Sequence, residues 1–145
     1  MAEPALSPTL HVRRLLSATP QEVFEAWIDP EGVRTWMCPE ATTLAEVRLD
    51  VRVGGQFCIV MRGESGDLVH TGEYREIQPP RKLVFTWRSA GTHEKETLVT
   101  VELYPRGNKT ELVLTHAWLP DETAIEKHAH GWRSIVEKLA AHLSR

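Results

Sequence analysis

Hydrophobic residues along this chain change their spacing twice, and each change marks a new kind of element. In "LHVRRLL", residues 10 to 16, apolar and polar positions alternate, which predicts a first strand. "TPQE" at 19 to 22 then supplies a Thr cap, a proline at the first helical position and a Glu three positions after the cap. This capping box predicts a short helix through Trp27. Asp29-Pro30-Glu31 repeats the device at once and predicts a second short helix or turn to about Trp36.

After Pro39 the period drops to two. Val47, Leu49 and Val51 alternate with Glu46, Arg48 and Asp50, Gly54-Gly55 makes a turn, and Phe57, Ile59 and Met61 alternate again. Turns at "GESGD" (63 to 67), Pro79-Pro80 and "PRGNK" then separate "LVHTGEYREI", "KLVFTW", "TLVTVELY" and "TELVLTHAW". Short connections between six successive strands predict one antiparallel sheet. The period returns to 3.6 after Pro120-Asp121-Glu122, with Asp121 as cap of a long helix whose Ile125, His128, Trp132, Ile135, Val136, Leu139 and Leu143 recur every three or four residues. A rotation of roughly 100° per residue places His128 inside that stripe, Gly131 at its edge and His130 on the opposite side. An imidazole and a glycine on a core-facing stripe point to a cavity under the helix, and a curled sheet wrapped round one cylinder leaves such space. The pattern therefore predicts an α+β fold: a strand, two short helices, six antiparallel strands in a curved sheet, and one long C-terminal helix over a single face of that sheet. Residues 1–8 form a flexible tail in this reading, and 9–145 a single domain.

Composition narrows the functional classes. The 145 residues are 41% hydrophobic and 26% charged, ordinary for one globular domain. Twenty acidic against seventeen basic residues, with the basic ones single or in pairs, supply no nucleic-acid footprint. No apolar run approaches the roughly 20 residues of a membrane span, and the first ten residues lack a signal pattern, so a cytoplasmic location is expected. Cys38 and Cys58 read as reduced thiols. Metal binding is not expected, because His128 and His130 point to opposite sides of their helix and His116 with His128 would lack a third ligand. Gly54-Gly55 lacks the helix and Lys-Ser/Thr of a phosphate loop, no catalytic triad or carboxylate pair can be extracted, and no cofactor is implied.

Five stretches, "ATPQEVFEAWIDPEGVRTWMCP", "DVRVGGQF", "GEYREIQPPRKLVFTW", "LVTVELYPRGNKTELVLTH" and the late "HGW", occur in an order that resembles the bacterial homologues of the activator of the heat-shock-protein-90 ATPase, C-terminal domain type. These belong to the START-like, or SRPBCC, helix-grip superfamily. The resemblance spans about residues 10 to 143 and implies the α+β helix-grip fold, a seven-stranded antiparallel curved sheet gripping a long C-terminal helix around a ligand cavity, with two short helices between strands 1 and 2. Superfamily members include lipid carriers, hormone receptors, cyclase components and co-chaperone domains, so the fold does not choose a function. Where relatives often carry two tryptophans, this chain has Trp36-Met37.

Binding of a small, mostly apolar ligand between sheet and helix is the leading expectation, with more weight on binding than on catalysis. Its candidate contacts are His116, His128 and Tyr74 as polar groups and Phe57, Ile59, Met61, Phe85, Trp87, Leu114, Trp132 and Ile135 as wall. Trp36, before the Pro39 break, is placed at the mouth. The same histidines serve equally as fold supports bonded to backbone or to Tyr74, and the tryptophans as core. Two other functions stay open: an enzyme of modest demand that uses a cavity histidine on an aromatic or polyketide-like compound, and a chaperone-related protein-interaction module.

Overall fold

The computed structural model describes residues 9–38, 43–63 and 66–144. Among them seven strands form one curled antiparallel sheet: β1 (Leu10–Leu16), β2 (Thr43–Leu49), β3 (Gln56–Gly63), β4 (Gly66–Gln78), β5 (Lys82–Trp87), β6 (Thr97–Arg106) and β7 (Lys109–Ala117). Their order is β1-β7-β6-β5-β4-β3-β2, so each sequential hairpin from β2 onward is adjacent and β1 closes on β7. Two short helices, α1 (Pro20–Ile28) and α2 (Pro30–Trp36), fill the connection from β1 to β2, and α3 (Glu122–Leu143) lies in the half-barrel that results.

Local chemistry sets these boundaries. Thr19 accepts a hydrogen bond from the Glu22 amide while the Glu22 carboxylate accepts from the Thr19 amide, completing the capping box of α1. Asp29 ends α1 and caps α2 through the Glu31 amide. At α3, Asp121 accepts from the Ala124 amide at 2.8 Å and also meets His93 Nε2 at 3.0 Å. These two contacts hold the Asp121 carboxyl below its ordinary range, the amide bond first. The predicted tail at 1–8, the break at Pro39 and the tip of the "GESGD" turn fall outside the described residues.

Alternation places the core on one face. Val99, Val101 and Leu103 of β6 are buried between half-exposed neighbours, and Leu112 and Leu114 of β7 lie beside them. Against this face α3 buries Ala124, Trp132, Ile135, Val136 and Leu139. Packing dictates the glycine at position 72: a Cβ on Gly72 would lie 2.0 Å from the Thr86 carbonyl oxygen and 2.4 Å from the Phe57 ring. Two features escape the period-2 pattern. A register shift between Tyr74 and Glu76 bends β4 where it leaves β5, and a 3₁₀ turn at Ala90–Thr92 links β5 to β6.

Candidate functional site

Aromatic side chains fill the middle of the grip. Phe57, Phe85 and Trp87 rise from the sheet, Trp27 and Trp36 come from α1 and α2, and Trp132 comes down from α3. Trp87 and Trp132 have ring centroids 5.1 Å apart, Trp27 and Trp36 are 4.8 Å apart edge-on, and Phe57 meets Phe85 edge-on at 5.5 Å. Two spaces remain inside. An inner void of about 20 Å³ is bounded by Trp27, Leu49, Ile59, Tyr74, Phe85 and Trp87. A larger cavity of about 170 Å³ opens at one end of the grip, between the β3–β4 hairpin, the 3₁₀ turn and α3. Met61, Leu68, Trp87, Trp132 and Ile135 form its apolar wall. A broader groove of about 600 Å³ runs beside Arg48, Cys58, Thr71 and Glu96 on the other face of the sheet. Its charged side chains are exposed and paired, Arg48 with Glu46 and Glu96 with Arg75, and none of the histidines borders it.

The strand register builds the polar part of the site. Trp87 ends β5 opposite Thr97, which begins β6, and His116 of β7 pairs with Val99 two residues further on, so the three residues form a diagonal row at one end of the sheet. Trp132 Nε1–H donates to His116 Nδ1 at 3.0 Å. His116 must then carry its proton on Nε2, which donates to Thr97 Oγ1 at 2.7 Å, and Thr97 donates onward to the Trp87 carbonyl at 2.5 Å. This relay is fully buried, and burial together with nearby His128 holds His116 well below the usual histidine range. His116 is a neutral imidazole with both nitrogens used inside the protein.

His128 differs. Its Nδ1–H donates to the Ala124 carbonyl one turn back at 2.8 Å, so in the neutral ring Nε2 bears the free lone pair. The ring meets His116 edge-on at 5.0 Å, and its Cε1 lies 3.2 Å from where a Cβ on Gly91 would be. Burial lowers its pKa, partly offset by the bond to Ala124. Across the cavity His70 of β4 stacks on Trp87 at 4.9 Å. Burial drives His70 down to about 4 against the backbone carbonyls of Ile59 and Leu68, which favour an N–H on the ring, and His128 lowers it further. Among the described residues its buried Nδ1 has no hydrogen-bond partner. Two neutral imidazoles thus border one apolar cavity, His128 with an acceptor Nε2, and Lys127 stands at its edge.

The structure therefore sorts the residues singled out in the sequence. Met61, Trp87, His128, Trp132 and Ile135 line the cavity, whereas Ile59, Tyr74 and Phe85 border only the inner void and Phe57 borders both that void and the broad groove. Leu114 is completely buried between β1 and β6, opposite Val12 and Val101. Trp36 is completely buried against Trp27 and does not reach a mouth, because α2 packs inward before the chain leaves it. His116 borders neither space; it approaches His128 as period-2 counting expects, but its bonds go to Trp132 and Thr97 rather than to Tyr74. Tyr74 has its hydroxyl pKa raised by burial and then by Asp50. His70 was missed. Its parity with Tyr74, two inward positions away on β4, was the available signal. Gly91 and Lys127 were missed too, for want of any pattern that places a turn against a helix. Among the described residues Cys38 and Cys58 form no disulfide, and no three metal-donor side chains converge.

A curled sheet gripping one long helix, with a cavity at the end of the grip, defines the START-like helix-grip class. Within it the chain belongs to the Activator of Hsp90 ATPase homolog 1-like protein family, whose model matches residues 17–144. A solved structure from Chromobacterium violaceum superposes with a TM-score of 0.85 at 28% identity, over 94% of this chain and 98% of that one. The Silicibacter pomeroyi member of the family gives 0.81 at 26% identity, over 94% and 97%. An Aeromonas hydrophila relative, at 20% identity and 0.76 over 92% and 90%, shares the fold. No curated protein matches the chain. No helix among the described residues is long and apolar enough to cross a membrane.

Proposed function

We propose that this protein binds a small, mostly apolar compound in the cavity between sheet and α3, and that the compound carries a hydroxyl which donates to His128. The observation behind this reading is the tautomer of His128: with Nδ1–H committed to Ala124, the cavity side of the ring accepts and does not donate. The wall around it is apolar, so a hydroxyl group there loses water and needs a partner. A volume of about 170 Å³ suits a single ring or a short chain, close to the roughly 150 Å³ of an apolar cavity that takes benzene. His116 acts at one remove, by fixing Trp132 as a wall. Cys38 and Cys58 in thiol form agree with a cytoplasmic setting, and the solved relatives named above come from bacteria.

Amide NMR titration with para-cresol tests the reading. Saturable shifts at His70, Gly91, His128 and Trp132 are expected, and His128→Leu should weaken binding about 5-fold, the worth of one net hydrogen bond, while the spectrum stays folded. Absence of saturable shifts, or unchanged affinity in His128→Leu, would remove the hydroxyl–histidine contact.

A further inference from the structure

Trp87 occupies a singular place. Among the described residues it alone lines both the cavity of about 170 Å³ and the inner void of about 20 Å³, so its indole is the partition between them. The other tryptophan at this wall, Trp132, is tethered by its N–H to His116 at 3.0 Å and cannot turn without breaking that bond. The Trp87 indole N–H has no such tether: it is buried, with 3% of the residue exposed, and among the described residues Nε1 has no partner. Trp27, 3% exposed, borders the inner void from α1, and its Nε1 is likewise buried without a partner. Buried indole N–H groups ordinarily find an acceptor. Two of them on residues around one apolar void make that wall short of acceptors, while in the outer cavity His128 offers one.

We propose that the inner void is a second subsite, entered past Trp87, that takes the carbonyl end of a phenol-type ligand whose hydroxyl remains at the histidines. This rests on the binding proposed for the outer cavity and names the ligand's other end. At about 20 Å³ the void holds little more than one water-sized probe, so a carbonyl-bearing chain enters only when the Trp87 ring turns aside. Turning it breaks no hydrogen bond of its indole. The cost is the ring contacts with His70 at 4.9 Å, Trp132 at 5.1 Å, Phe57 at 6.1 Å and Phe85 at 6.2 Å, and the gain is an acceptor for N–H groups that now have none. A ligand with a methylene in place of the carbonyl receives no such gain.

A matched pair of probes makes this measurable. para-Hydroxybenzylacetone and para-butylphenol share the phenol and the chain length and differ by a carbonyl in place of a methylene. An apolar void without donors favours the butyl compound, because the carbonyl loses its hydration. The proposed subsite reverses the order, with the ketone binding wild-type protein about 3- to 10-fold more tightly. Trp87→Phe keeps a ring and deletes the N–H, and should bring the ratio to one or below. Trp27→Phe is the second variant, for use if the first fails to fold. In NMR, the indole N–H resonance missing from Trp87→Phe should move on ketone addition and not on addition of para-butylphenol. Preference for the butyl compound in the wild type overturns the subsite and leaves the outer site standing, since both probes then bind. A ratio unchanged in the folded variants also overturns it. Failure of para-cresol and of both longer probes to bind overturns the two proposals together.

Discussion

His116 shows how a single residue earns its position by geometry rather than by chemistry offered to a ligand. It receives the Trp132 N–H and donates its own N–H to Thr97, so one imidazole holds the Trp132 ring directly and, through Thr97, the backbone of Trp87. His116→Phe retains a ring of similar size and strands the Trp132 indole N–H in the core. A loss of about 2 kcal/mol is expected, the usual cost of a buried unpaired donor together with a lost hydrogen bond. Urea unfolding followed by far-ultraviolet circular dichroism measures it, and a midpoint within error of the wild type would show the relay to be dispensable. Period-2 counting on β7 could place His116 on the inner face, but the identity of its partners depends on Thr97 and Trp132, 19 and 16 residues away. The same limit explains Trp36. Its approach to a chain break suggested exposure, and only the packing of α2 against Trp27 shows that it is core.

At the scale of elements, α3 carries the feature that its own sequence leaves unexplained. His128, Gly131, Trp132 and Ile135 form one stripe at spacings of three and four, and all four border the cavity. A Cβ on Gly131 would meet nothing within 4 Å, so no packing demands a glycine there. Gly131→Ala should therefore stabilise the helix by about 1 kcal/mol and at the same time put a methyl group into the ligand space. Thermal unfolding should show the gain, and para-cresol titration a weaker affinity. Tighter or equal binding would mean that the space beside Gly131 is not used. The caps at Thr19, Asp29 and Asp121 were legible because a cap satisfies amides two or three residues away. The 3₁₀ turn at Ala90–Thr92 has a local cap at Ser89 that the sequence reading passed over, whereas its docking on the start of α3, where His93 meets Asp121 and Gly91 lies against His128, joins residues far apart in the chain.

For the whole molecule, the buried histidines make stability depend on pH. His70 is depressed from about 6.5 to about 4 chiefly by burial, with His128 facing it across the cavity, and His116 is depressed as well. Unfolded histidines take up protons near 6.5 that the folded protein refuses until much lower pH, so the unfolded state binds more protons in this window. The contribution is complete above about 6.5 and is lost as the pH falls toward 4; for His70 alone it is on the order of 3 kcal/mol. Urea midpoints should hold level from pH 8 to pH 7 and then fall steeply below pH 6. His70→Phe should flatten that fall, and an equal slope in the variant would assign the proton uptake elsewhere.

The chain's own pattern was enough for the architecture. Period-2 runs, turn residues and three helix caps are local signals, and each acts within a few residues, so the order of strands and helices and the inward face of α3 could be read directly. Which inward residues touch empty space was decided by the tertiary structure. Aromatic rings from the sheet, α1, α2 and α3 meet in the middle and fill most of what the curled sheet leaves open, confining the cavity to the end where His70 and His128 stand. Filling depends on the sum of side-chain volumes brought together from distant positions, and on the tautomers that their hydrogen bonds impose. Neither quantity belongs to any one stretch of sequence.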